Sequence, residues 1–386
     1  MRRIFLTILC ISIYVSCANG QNSGNKNIFP IAVWLQSAEN AMSYKQNGGI
    51  NMYVGLWNQL DEKQFDLLKK ADIKLICEQN DFGLVHKMDP TIFGWMHGDE
   101  PDNAQWNSKT QKYDPCISPE QTINYYKKIK ERDLGHPFYL NLGQGVSYTT
   151  YIGRGECRGK TDMYSTANNG YLKGCDIASF DIYPVNSNDS NVRDNLGMVA
   201  NGIDNLRNWC KDQKPVWTWI ETTQIGKDSP RKPTPEEVKT EVWMALIHGA
   251  KGIGYFCHSF YPDSDEAALL HDKTMLAGIQ KINRQITFLA PVLNSEDGSN
   301  YGAEVKSSNS NVSIDILTKS YKTDNFIFAV CMKNEVTQAT FKVTSEEEVE
   351  VLGENRTIKI INGQFDDHFE GYDVHLYKIS VNGKLR

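Results

Sequence analysis

The sequence lacks the short signatures of several large enzyme classes. It has no HExxH zinc helix, no GxSxG nucleophile elbow and no glycine-rich phosphate loop. Its eight histidines do not cluster at metal-ligand spacing, so neither a metal nor another cofactor is expected. It also lacks an excess of basic charge. Lys and Arg number 41 against 47 Asp and Glu, a formal charge of −6, which argues against a nucleic-acid partner. No repeat of fixed period and no extended low-complexity tract is present.

A hydrophobic run of membrane-spanning length is missing as well. The apolar stretch Ile4–Val15 behind Arg2 and Arg3 is too short to cross a bilayer and has the form of a signal-peptide core. Two cleavages fit residues 1–20. One leaves Cys17 as a lipidated first residue, because Val15-Ser16-Cys17 resembles a lipobox. The other cuts after Ala18-Asn19-Gly20. The expected location is therefore outside the cytoplasm, as a surface or periplasmic lipoprotein held by its lipid anchor or as a freely secreted protein. Residues 21–28 read as a polar tether. Of nine cysteines, Cys10 and Cys17 fall in the signal region, and the remaining seven cannot all pair internally. Cys77, Cys175, Cys210 and Cys257 sit in or beside apolar segments and read as core. Cys116 and Cys157 sit in polar loops and could bridge.

What is present is a regular alternation of short apolar runs and helix-compatible stretches. The runs Ile31–Leu35, Met52–Leu56, Lys74–Cys77, Ile92–His97, Phe138–Leu142, Ile177–Ile182, Val216–Ile220 and Gly252–Cys257 read as eight strands, each followed by a helix. Helix starts are written out at Asp61 with Gln64, at Ser118-Pro119-Glu120-Gln121 and at Thr234-Pro235-Glu236-Glu237. Eight β-α units predict an α/β fold, a (β/α)8 TIM barrel over 29–293. From 294 to 386 the pattern becomes period-two alternation with an Asn362-Gly363 hairpin signal, predicting a small antiparallel β-sandwich.

In such barrels, chemistry sits at the C-terminal ends of strands. The fourth run ends Gly94-Trp95-Met96-His97-Gly98-Asp99-Glu100-Pro101-Asp102, an apolar strand running into three acids. The seventh ends Trp217-Thr218-Trp219-Ile220-Glu221, a lone acid behind two indoles. Two carboxyls across a barrel mouth suffice for glycoside hydrolysis, one as proton donor and one as nucleophile or base. Taken alone, Glu100 also reads as a solvated turn residue and Glu221 as half of a structural ion pair. The aromatic content of 11% supplies stacking faces. Trp34, Trp57 and Trp219 fall in or at the ends of strands and read equally as core or as a sugar platform. His258 reads as a structural histidine or a substrate contact, and Asp181 as an interior partner for an arginine.

These strand ends resemble clan A of the retaining glycoside hydrolases, whose acid/base glutamate follows strand four and whose nucleophile ends strand seven. The resemblance covers residues 29–293 and extends loosely to the β domain. It implies Glu100 as acid/base, Glu221 as nucleophile and Tyr183 in Phe180-Asp181-Ile182-Tyr183-Pro184 as a partner of the nucleophile. It further implies a β-linked oligo- or polysaccharide substrate and double displacement. The chain departs from the pattern in having Asp99 where the clan has Asn. Asp99 can still accept a sugar hydroxyl, but its charge adds to that of Glu100 and raises its pKa. The strand-eight Trp is replaced by Phe256 or His258. Two rival readings are a glycan-binding surface lipoprotein on a barrel without catalysis, and a barrel hydrolase of another mechanism.

Overall fold

The eight apolar runs pair in parallel because each is rich in β-branched and aromatic residues and too short for a stable helix. They form strands β1 (Ile31–Gln36), β2 (Met52–Leu56), β3 (Lys74–Cys77), β4 (Ile92–Met96), β5 (Phe138–Leu142), β6 (Ile177–Asp181), β7 (Val216–Glu221) and β8 (Gly252–Phe256). The sheet closes, with β8 pairing both β7 and β1. This computed structural model describes residues 27–157, 161–295, 301–344 and 348–380. The signal segment, Cys17 and most of the tether lie outside the described residues.

The outer layer is thinner than the sequence pattern predicts. Helices α1 (Glu62–Ala71), α2 (Pro119–Arg132), α3 (Gly197–Cys210), α4 (Pro235–Ile247) and α5 (Lys273–Leu293) follow β2, β4, β6, β7 and β8. After β3 there is only the five-residue helix Asp81–Val85, and after β5 only short 3-10 turns. The segment after β5 carries glycines at 143, 145, 153, 155, 170 and 174 and has no apolar helical stripe, so it forms loop instead of helix. The caps read from sequence are in place. Ser118 with Gln121 and Thr234 with Glu237 each form a reciprocal capping box with Pro at the helix start.

Alternate strand residues fill the barrel, among them Ala32, Trp34, Met52, Val54, Ile76, Met96, Tyr139, Trp217 and Trp219. The two indoles of β7 require glycine on β8. A Cβ at Gly254 would stand 2.1 Å from the Trp219 ring and one at Gly252 2.4 Å from Trp217.

The C-terminal strands are β9 (Glu304–Ser307), β10 (Ile314–Tyr321), β11 (Asp324–Cys331), β12 (Thr337–Lys342), β13 (Glu348–Val351), β14 (Arg356–Lys359), β15 (Gln364–Phe369) and β16 (Val374–Ser380). They form two antiparallel sheets, β9-β12-β15 and β10-β11-β16-β13-β14. Asn362 and Gly363, both at positive φ, make the predicted turn into β15. The larger sheet lies on the barrel's helices. Phe326, Phe328, Val330 and Leu376 join the barrel's hydrophobic core, and Trp243 of α4 packs 5.3 Å from Phe328. Among the described residues no helix is long and apolar enough to cross a membrane.

Candidate active site

The strongest concentration of buried acid lies where β4, β5 and β6 end. Beyond β4 the chain turns sharply, with Glu100 at a φ of 40°, a conformation that costs a non-glycine residue of order 1–3 kcal/mol. The turn aims Glu100 inward, where only 9% of it is exposed. Its Oε2 accepts from Asn103 Nδ2 at 2.8 Å and from Arg154 Nη2 at 2.7 Å. Gly143, at the end of β5, leaves room for the other oxygen.

Asp99 and Asp181 share the amide of Asn141 on β5, at 3.0 and 3.5 Å. Asn141 is in turn fixed by Ser179 Oγ at 3.0 Å. Asp181 also lies near enough to Glu100 and Tyr183 for its charge to act on both. Asp102 sits behind this group, accepting from the Gly143 amide at 2.9 Å and from Tyr164 Oη at 2.8 Å.

So many acids in so little water cannot all ionise. Burial, then the charges of Asp181 and Asp99, hold Glu100 well above the usual carboxyl range, while Arg154 opposes them. Burial and then Asp99 push Asp181 up to about 7. Burial raises Asp102 to about 6 against its two hydrogen bonds. Asp99 is raised too, again chiefly by burial. Glu100 and Asp181 therefore hold a proton more strongly than ordinary carboxyls do.

An aromatic wall leads away from the cluster. Tyr183 lies 5.2 Å from Phe256, which stands 5.1 Å from His258, which lies 5.5 Å from Trp57. Phe260 flanks the row, and Trp57 and Phe260 are 50% and 52% exposed.

Similar solved structures were found on this geometry. A catalytic mutant of Gan42B, a GH42 beta-galactosidase from G. stearothermophilus, matches with a TM-score of 0.58 at 8% identity, over 92% of this chain and 98% of that one. AmyP in complex with maltose matches with a TM-score of 0.52 at 9% identity, over 93% of this chain and 98% of that one. The chain shares the barrel fold of these two proteins. No protein-family profile and no curated protein sequence matches it.

On this barrel the residues singled out in the sequence divide into two groups. Glu100, Asp99, Tyr183 and Trp57 come together at the mouth with Asp181. Glu221, Trp34, Trp219 and His258 are closed off. Trp34 and Trp219 are 3% and 1% exposed and pack edge to face at 4.9 Å, with Trp219 Nε1 donating to Tyr139 Oη at 2.9 Å. Faces covered in this way offer no platform to a sugar. His258 is 2% exposed, its Nε2 held 3.0 Å from the Trp34 carbonyl. It joins the aromatic wall from behind.

Glu221 ends β7 as expected but has no exposed surface. Its Oε1 accepts from the Val185 amide at 2.6 Å, and its Oε2 from the Asn186 amide at 2.8 Å and from the Asn186 side chain. It therefore ties down the loop after β6. The carboxyl facing it is Glu241 of α4. Both oxygens of Glu241 are sealed from water and meet no other hydrogen-bond partner among the described residues. Burial first, then the Glu221 charge, holds Glu241 well above its ordinary range, and burial pushes Glu221 up to about 7. Two buried carboxyls this close resist ionising together. Tyr183, expected as the partner of Glu221, is not among the groups that hydrogen-bond it, and the carboxyl that acts most on Tyr183 is Asp181.

Sequence reasoning missed Arg154, Asn103 and Asn141. Inward parity on β5, shared with Tyr139, was the available signal for Asn141. Nothing in the local sequence marks Arg154, because its role arises from loop closure. Cys116 and Cys157, left open, are paired, with Cα atoms 5.8 Å apart. Cys77, Cys175, Cys210 and Cys257 are buried and free, as read.

Proposed function

We propose that this protein is a glycoside hydrolase whose proton donor is Glu100, acting from the acid cluster it forms with Asp99 and Asp181. The observation that carries the reading is a buried Glu100 turned in among Asp99 and Asp181 at the barrel mouth, beside an exposed aromatic wall. One carboxyl kept protonated to protonate a leaving oxygen, and a second to stabilise or attack the developing oxocarbenium ion, is what the chemistry requires. The fold shared with a beta-galactosidase and with a maltose-bound AmyP raises the prior for a carbohydrate substrate but does not select the sugar.

Asp181 is favoured as the second carboxyl because it is partly accessible at the same mouth, and turnover then requires it to stand off from Glu100 by the roughly 5–9.5 Å that leaves room for the sugar. The end position of Glu221 on β7 supports the other assignment, a retaining double displacement on a β-linked sugar with Glu221 attacking. That route requires Glu221 to give up its bonds to Val185 and Asn186. Asp181→Asn and Glu221→Gln, both near-isosteric, separate the two. On the favoured reading Asp181→Asn loses activity by about 10²-fold or more while Glu221→Gln retains most of it. Recovery of Glu221→Gln turnover by added azide as a glycosyl azide of inverted configuration, with retained configuration in the wild-type hydrolysis product by proton NMR, would instead establish Glu221 as nucleophile.

Trp57→Ala checks the aromatic wall. The ring is half exposed, so stability should change by less than about 0.5 kcal/mol. Loss of one stacking face should raise KM roughly 3- to 10-fold with kcat little changed. An unchanged KM on a polymeric substrate would remove Trp57 from the binding surface.

A further inference from the structure

The loop that carries Arg154 is fastened to the loop that carries Glu100 at every available point. The Arg154 amide donates to Asn103 Oδ1 at 2.8 Å, and its Nε donates to the Ala104 carbonyl at 3.0 Å. The Ala104 amide returns a bond to the Arg154 carbonyl at 3.2 Å. Asn103, which holds Arg154 from one side, also donates to Glu100 Oε2. The approach is so close that Gly155, at a φ of 64°, has no room for a Cβ, which would stand 2.5 Å from that of Ala104. Three residues beyond Arg154, Cys157 is bonded to Cys116, across a sequence separation of 41. The Cys116 side is itself anchored, because the Ile117 amide donates to the Pro101 carbonyl next to Glu100 at 3.0 Å.

Among the described residues the segment after β5 has only short turns, so no long helix or strand holds Arg154 in place. A long, 40% exposed arginine side chain on such a loop would ordinarily sample many rotamers. Among the described residues its guanidinium is the one cation facing an acid surrounded by like charge. The groups around Glu100 are Asp99 and Asp102 on its own turn, Asp181 and Tyr183 from the end of β6, Tyr164 from the loop after β5, and Arg154.

We propose that Arg154 is a positioning residue for Glu100, and that the Cys116–Cys157 disulfide holds it there, so that the bond between two loops is part of the catalytic apparatus. The inference rests on Glu100 being the proton donor, and it makes the acid's titration depend on a crosslink. An oxidising compartment, expected from the signal segment, is where such a crosslink persists.

The test reads Glu100 without using activity. Carbon-13 NMR of protein labelled at the glutamate side-chain carboxyl, with Glu100→Gln assigning the resonance, follows its titration in the full chain. Arg154→Gln removes the opposing cation and should move the Glu100 midpoint upward by about one unit or more. Arg154→Lys keeps the charge and should move it less. Reduction of the folded wild type, and the paired change Cys116→Ser with Cys157→Ser, should shift it in the same direction. Neither should add a further shift in the Arg154→Gln background. A Glu100 midpoint unmoved in Arg154→Gln overturns the proposal. A midpoint moved by Arg154→Gln but not by reduction, with only a lower melting temperature, overturns the part played by the disulfide. If instead Glu100→Gln cleaves substrate as well as wild type, the reading of Glu100 as acid fails while the titration result stands.

Discussion

Glu100→Gln is expected to lower kcat on a natural glycoside by ~10²–10⁴-fold, with the fold intact. The amide keeps the shape of the carboxyl and can still accept from Asn103 and Arg154, which donate to Oε2 of the native side chain. It cannot deliver a proton. The loss should therefore depend on the leaving group. An alkoxide needs protonation as the bond breaks, whereas an activated phenol leaves without it. On an aryl glycoside with a good leaving group the first step should lose much less, and the remaining defect should lie in the water-dependent second step if the enzyme is retaining. The wild-type alkaline limb should report deprotonation of the Glu100–Asp181 pair and not of either residue alone. A uniform loss across leaving groups would assign Glu100 to binding instead.

Glu221→Ala is expected to be the most damaging change to stability, by about 3–5 kcal/mol. It leaves the amides of Val185 and Asn186 and the Asn186 side chain without their acceptor in a site with no exposure. Each buried donor so orphaned costs roughly 1–3 kcal/mol, partly offset by relief of Glu241. The pair also makes a statement about pH. Glu221, with a folded value of about 7, binds its proton more tightly than an unfolded carboxyl near the ordinary 4.5. The stabilising contribution is therefore complete below that ordinary value and is lost as pH rises through about 7. Asp181 and Asp102 are displaced in the same direction. Chemical denaturation at pH 5 and pH 8 should show the protein losing stability towards pH 8. Glu241→Gln, which places an amide donor opposite Glu221, should flatten that slope. A slope as steep in Glu241→Gln as in wild type would show that the two carboxyls do not share a proton.

The barrel could be read from local sequence because each strand carries its own signal. Short apolar runs recur at regular spacing, and Ser118 and Thr234 mark helix starts that need no tertiary information. Where helices failed, after β3 and β5, the absence of an apolar stripe was visible in the same residues. The site was legible only in part, for a physical reason. Position along a strand says that Glu100 and Glu221 reach the same end of the barrel, but not which way a terminal side chain turns. A positive φ at Glu100 turns its carboxyl inward to Asn103 and Arg154. Two backbone amides of the neighbouring loop draw Glu221 away. The same limit applies to the indoles, since Trp57 lies one residue past its strand and is exposed, whereas Trp34 and Trp219 lie within theirs. Asp181, read from parity as an interior acid with an arginine partner, is interior, but its nearest groups are Glu100, Asn141 and Tyr183. The arginine went to Glu100.

The most direct test is reducing-end release from a panel of plant, algal, fungal and host glycans, α- and β-linked, by wild type beside Glu100→Gln. Circular dichroism and melting temperature should establish that both proteins are folded. The account predicts that wild type releases sugar from at least one glycan and that Glu100→Gln releases almost none from the same one. Equal release by both proteins, or binding of a glycan by both with release by neither, would contradict it.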